Sequence, residues 1–197
     1  IRAYPSGDRP YGRSENDVFW ATAQDLDVPV ALHIGGNNRL TGHDLFDIKF
    51  GPGTWWVYMM FAVDVQIGLV SLMHGGVFER FPRLKTVLLE SGCGWVGYWL
   101  DRMDETFENL GFSVPLKRPP SEYFARQCYI TMEPDENLAG AMVKHIGAGN
   151  FMWAADYPHS DGHRDAVAEV KATLSDLNES ERALILGGTA ERIYNLA

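Results

Sequence analysis

The chain has 197 residues, of which 46% are apolar and 22% charged, and its formal net charge is −9. That length supports one hydrophobic core rather than two, and the composition excludes intrinsic disorder and low-complexity architectures. The acidic balance, without any basic run, argues against nucleic acid as a partner, because nothing is present to neutralise phosphates.

Two cysteines, Cys93 and Cys128, are too few for a disulfide framework and each lies beside a strand-like run, so a reduced, cytoplasmic protein is expected. No cationic stretch followed by an apolar one opens the chain, so no signal peptide is expected. The apolar window 55–73 has the length to cross a bilayer, but Asp64 and Gln66 stand at its centre, where a charge is costly. A buried helix and no membrane association are expected from it.

Residues 15–26 ("ENDVFWATAQDL") place apolar side chains at 18, 19, 20, 23 and 26, a helical face with Ser14 as its N-cap. "VPVALHI" (28–34) is a short β-rich run ending at Gly35-Gly36, followed by a polar, glycine-rich loop to about residue 53 that is long enough to suggest a functional role. Helix is expected over 55–74, strand over 85–91, and helix over 94–110, where Trp95, Tyr98, Trp99, Met103, Phe107 and Leu110 recur at i, i+3, i+4. The proline-rich 114–124 reads as a loop. Strand over 127–133, helix over 136–146 and strand over 151–156 follow. Helices over 164–174 and 179–196 close the chain, the last interrupted at Gly187-Gly188. Continuous apolar strands, each followed by a helix, imply a parallel sheet covered by helices, in which ligands gather at the carboxyl ends of the strands.

Those four strand ends carry His33, Glu90, Glu133 and Asp156. Singly, each has a plain explanation: a core histidine, a helix cap, a turn-forming aspartate. Together they form a set of metal-binding or proton-moving side chains where apolar strands finish. Imidazole nitrogen and carboxylate oxygen suit zinc or a similar borderline ion. His159, three residues beyond Asp156, is the strongest further candidate. His43 and His163 read as solvated loop residues at a pocket mouth, His74 as a cap at the end of the long helix, and His145 as structural. "SGCGW" (91–95) sets Cys93 in a strand–turn–helix context faintly like a nucleophile elbow, but lacks its leading glycine. "GAGN" (147–150) precedes a strand, the wrong order for a dinucleotide-binding loop.

The segments 28–36 ("VPVALHIGG"), 75–105, 123–136 ("YFARQCYITMEPDE") and 151–162 ("FMWAADYPHSDG"), with the ending "LGGTAERIYNL", resemble the amidohydrolase-related family. The similarity is to its second large branch, which holds metal-dependent hydrolases and non-oxidative decarboxylases. The resemblance implies a distorted (β/α)8 TIM barrel with one divalent metal, most often zinc and in some decarboxylases manganese. It implies that His33 is the metal-binding histidine at the end of the barrel's fifth strand. Asp156 corresponds to the aspartate at the end of the eighth, which binds or approaches the metal and carries a proton.

Two departures stand out. Glu90 occupies the position where the branch's decarboxylases tend to have a histidine at the end of the sixth strand. The first-strand pair, His or Glu, any residue, His, has no counterpart, since the chain contains no His-x-His.

The expectation is therefore an α/β chain, a single amidohydrolase-related domain over 1–197 supplying the C-terminal half of a TIM barrel, with Ile1 rather than Met at its start fitting a piece of a longer protein. Its function is expected to be metal-dependent hydrolysis of a small carboxylate-bearing or cyclic substrate. His33 and Asp156 would bind the metal, and Asp156, Glu90 and His159 would act in catalysis. Arg39 is a candidate for meeting a substrate carboxylate. Two other readings remain open: a decarboxylase of the same branch, and a non-catalytic barrel fragment that self-associates. A small-molecule substrate is the expected ligand, and self-association or pairing with the missing N-terminal half is expected of a half-barrel.

Overall fold

The computed structural model describes residues 1–5, 9–34, 54–159 and 162–196, so the glycine-rich loop with Arg39 and His43 lies outside the described residues. Helix α1 (Asp17–Asp25) leads into strand β1 (Val30–Leu32), and helices α2 (Thr54–His74) and α3 (Val77–Arg80) precede β2 (Thr86–Leu88). Helices α4 (Val96–Leu110) and α5 (Pro120–Gln127) lead to β3 (Cys128–Met132), and α6 (Ala139–Ile146) leads to β4 (Phe151–Trp153). Helices α7 (Ala166–Thr173), α8 (Glu179–Ala183) and α9 (Thr189–Tyr194) complete the described chain.

The four strands form one parallel sheet in sequential order β1-β2-β3-β4. Sequential parallel neighbours joined through helices are the build of half a (β/α)8 barrel. Each strand is brief, because the apolar runs end at residues that depart from strand geometry.

The register explains the core. Leu32, Leu88, Ile130 and Phe151 fall in one row across the sheet and are all fully buried. They share a cluster with Trp20 of α1, Leu69 and Leu72 of α2, Val96 of α4, Phe124 of α5 and Val143 of α6. Side chains one position along point to the other face. There Val87, Tyr129 and Met152 meet Ile193 and Ala190 of α9.

The last helix therefore lies on the opposite side of the sheet from the helical layer. It is tied to the start of the strands: Lys85 Nζ donates to Ile193 O (3.2 Å), and Arg192 donates to Gly149 O (2.7 Å). Lys85 also pairs with Asp27 (2.8 Å), which accepts from Asn195 Nδ2 (2.9 Å). The amino ends of the strands are thus closed by α9, and the carboxyl ends are left for chemistry.

Three local readings change. Ser14 does not cap the first helix: it opens a 3-10 turn, Ser14–Asn16, and α1 follows from Asp17 with Asn16 at its N-cap position. The proline-rich 114–124 is not all loop: α5 begins at Pro120, whose fixed φ and missing N–H suit the first helical turn. Asp104 of α4 accepts from Ser121 N (2.9 Å) and secures that turn. The expected break at Gly187-Gly188 is a π-helical turn, Leu184–Gly188, that carries α8 into α9 without interruption. Asp64 is buried within α2, and among the described residues no helix is long and apolar enough to cross a membrane.

Candidate active site

His33 follows β1 directly, Glu133 follows β3 directly, Glu90 stands two residues beyond β2 and Asp156 three beyond β4. His33 is held in the sheet by backbone bonds: its N donates to Ile1 O (2.9 Å), and its O accepts from Ala3 N (2.7 Å). Glu90 and Asp156 have left-handed backbones, with φ of 56° and 48°. Side chains rarely adopt that region, and where they do the site is often functional. At Glu90 the effect is directional. Val87 and Leu89 share the face of α9, so a regular strand would send residue 90 into the helical layer. The left-handed turn takes the chain out of that alternation, and the carboxylate meets His33 instead.

The loop after β4 is folded just as closely. His159 N donates to Asp156 O (2.9 Å) and His163 N to Ala155 O (2.8 Å). Gly162 passes so near that a Cβ there would lie 2.5 Å from Asp156 O, so only glycine fits.

These backbones assemble an alternating row of imidazole and carboxylate. His33 Nε2 lies 2.9 Å from Glu90 Oε2. Glu90 Oε1 lies 3.9 Å from His159 Nδ1, which is 2.7 Å from Asp156 Oδ2. Donor atoms of Glu90, Asp156 and His159 all fall within 4.8 Å of one another. Glu90 is the most enclosed of the four, its side chain 14% exposed against 53% for His33.

Two carboxylates this close repel when both are ionised, so a shared proton or a positive charge relieves them. His33 Nδ1 faces Ile34 O at 2.8 Å and so carries a proton. Its Nε2 is left to meet Glu90.

The donor set fits a divalent ion. Imidazole nitrogens and carboxylate oxygens without thiolate suit zinc, manganese or a similar metal. Adjacent ligands on one ion, at bonds of about 2.0–2.2 Å, lie roughly 3 Å apart, close to the His33–Glu90 separation.

Beside this row opens a cavity of about 290 Å³. Tyr58, Phe61 and Ala62 of α2 form one wall, and Glu90, Ser91, Gly92, Glu133, Asp156 and His163 the other. The Tyr58 and Phe61 rings are 4.9 Å apart. His163 is not the solvated loop residue expected from the sequence: its Nδ1 is hydrogen-bonded to Glu169, and its side chain is only 17% exposed. Tyr58, Phe61 and Glu169 carried no signal in the sequence, because one aromatic pair on an apolar helix looks like any other core pair.

His74, exposed at the end of α2, and His145, 3.6 Å from Asp101, stay outside the cavity. A second cavity of about 340 Å³, between α2 and α4 on the helical side, is lined mainly by apolar side chains such as Met73, Met103 and Phe107. It is remote from the strand ends.

Cys93 is not a nucleophile. It is fully buried, and burial together with the nearby Glu136 carboxylate pushes its thiol far above the ordinary range. Both cysteines are free, and Cys128 is raised likewise by burial.

Comparison with known proteins agrees with this architecture. A gamma-resorcylate decarboxylase of Polaromonas sp. strain JS666 is 28% identical over 194 residues, covering 94% of this chain and 56% of that protein. The chain spans about half the length of the curated relatives it matches. The amidohydrolase map2389c of Mycobacterium avium subsp. paratuberculosis superposes with a TM-score of 0.85 at 22% identity, over all of this chain and 50% of that one. A dihydroxybenzoic acid decarboxylase of Polaromonas sp. JS666, solved with manganese and the inhibitor 2-nitroresorcinol, superposes with a TM-score of 0.75 at 24% identity, over 98% of this chain and 57% of that one. The amidohydrolase family model matches residues 2–196, and the chain belongs to that family.

Proposed function

We propose that the whole protein is a divalent-metal-dependent, non-oxidative decarboxylase of a small planar carboxylate, and that this chain supplies one side of its active site. The observation that carries the reading is the row His33–Glu90–His159–Asp156 set against the aromatic wall of Tyr58 and Phe61. The donor set by itself would serve hydrolysis equally well. The decarboxylase reading is favoured over the hydrolase because the relative with 94% coverage of this chain is a decarboxylase of an aromatic acid. Manganese in the Polaromonas structure favours that ion as much as zinc.

Decarboxylation exchanges a C–CO₂⁻ bond for a C–H bond, so an acid must reach the carbon that loses carbon dioxide. Asp156 is the residue for that proton, and His159, at 2.7 Å, holds the carboxyl in place and replenishes it. Glu90 braces both imidazoles, fixing the spacing of His33 and His159. Glu90, Asp156 and His159 offer donor atoms close enough to share the ion, and His33, expected from the sequence as its ligand, would join them beside Glu90. When bound, a divalent cation supplies Lewis-acid charge for the oxygens of an anionic substrate. Tyr58 and Phe61 give a flat ring an apolar surface and exclude water beside it.

The test is carbon dioxide release from a panel of hydroxybenzoates by the complete protein, with and without Mn²⁺. Metal-dependent release that falls at least a hundredfold in Asp156→Asn, with unchanged thermal stability, is expected. Hydrolysis of esters or amides without carbon dioxide release from any acid would overturn the reading.

A further inference from the structure

Glu136 lies in the loop after β3 and outside the imidazole–carboxylate row, yet its carboxylate ties together two of the strand ends that form the cavity. Its Oε1 accepts from Cys93 N (2.7 Å) and Gly94 N (2.5 Å). Its Oε2 accepts from Cys93 N (2.9 Å) and Glu133 N (3.3 Å). The loop after β2 is shaped to receive it. Gly92 has a φ of 59°, and a Cβ there would stand 3.0 Å from Glu136 Oε1; a Cβ on Gly94 would stand 3.1 Å from the same oxygen. Trp95 Nε1 donates to Ser91 O (3.1 Å) and Gly92 O (3.0 Å), closing the loop around the carboxylate.

We infer that Glu136 is a positioning residue that sets the spacing between Glu90 and Glu133 across the cavity, and through Glu90 the placement of His33 and His159. The inference rests on the site described above and extends it by one residue. Its physical basis is a charged acceptor shared by backbone donors from two loops about 43 residues apart in sequence. Glu90 begins one of those loops in a left-handed conformation that only its surroundings maintain, and Glu133 begins the other. A carboxylate this close to the start of α4 also complements that helix's amino end. Capping alone, however, would not require the contact to Glu133.

The experiment compares Glu136→Gln, Glu136→Asp and Leu100→Ala in the full chain. Leu100 is a buried core residue of α4 that belongs to neither loop, so its variant controls for general destabilisation. Two quantities are read: Mn²⁺ affinity by calorimetry, and hydrogen exchange of the amides of Cys93, Gly94 and Glu133. Glu136→Gln is expected to weaken Mn²⁺ binding at least tenfold and to speed exchange at all three amides together. Glu136→Asp, which keeps the charge but is one methylene shorter, is expected to do the same. Leu100→Ala should lower the melting temperature with both readings unchanged. Exchange in the Glu136 variants that matches wild type, or loosens only at Cys93 and Gly94, overturns the positioning role. If wild type binds no Mn²⁺, the ion-site reading fails on its own, and the coupled exchange still decides whether Glu136 holds the two loops.

Discussion

At the scale of single residues, the site is made by departures from regular strand geometry. Glu90 has no steric reason to be left-handed, a conformation that costs an L-residue about 1–2 kcal/mol. Replacing it with glycine removes that strain but adds about 0.5–1 kcal/mol of backbone entropy loss on folding. Glu90→Gly is therefore expected to fold with stability within about 1 kcal/mol of wild type in urea unfolding, while losing Mn²⁺ binding. A loss above about 3 kcal/mol would show that the carboxylate holds the fold rather than the site. Much of this was legible from sequence: His33, Glu90, Glu133 and Asp156 stood out because charged or imidazole side chains ended runs that were otherwise apolar. Glu136 was not, because an acid in a loop looks solvated until the amides of Cys93 and Gly94 are seen to converge on it. The burial of His163 is hidden from the sequence for the same reason, its partner Glu169 lying in the following helix.

At the scale of elements, periodicity identified α2, α4 and the four strands, because their apolar faces are continuous. It failed at α5, where two prolines suggested a loop although the second occupies the first helical position. It was also silent on which side of the sheet α9 would lie, since that is decided by Lys85, Asp27 and Gly149, all distant in sequence. This docking gives a pH-dependent prediction. Hydrogen bonds from Lys85 and Asn195 hold the Asp27 carboxyl below its usual range. A carboxyl lowered in the folded state contributes stability that is full above its unfolded value, about 3.9, and is lost as pH falls through the folded value. The melting temperature of Asp27→Asn should therefore lie below wild type at pH 7, and the gap should narrow as pH falls below about 3.9. A gap that stays constant down to acid unfolding would assign the effect to packing rather than charge.

At the scale of the whole molecule, the two edges of the sheet are treated differently. Beside β1 the chain's own first residues run parallel and bond to His33, so that edge is partly paired. Among the described residues β4 pairs with β3 alone, and beside it lies an open hollow lined by Trp153, Ala155 and Tyr157. A closed barrel would put another strand there, and an unpaired edge next to exposed aromatic surface is a template for association. We propose that the 197-residue chain by itself associates through this edge with a second copy. Light scattering after size exclusion should give a dimer or larger species at micromolar concentration. Tyr157→Lys, which places a charge in the hollow at an exposed side chain, should shift the population towards monomer without lowering helical content. A wild-type chain that stays monomeric and binds no apolar dye would overturn the proposal.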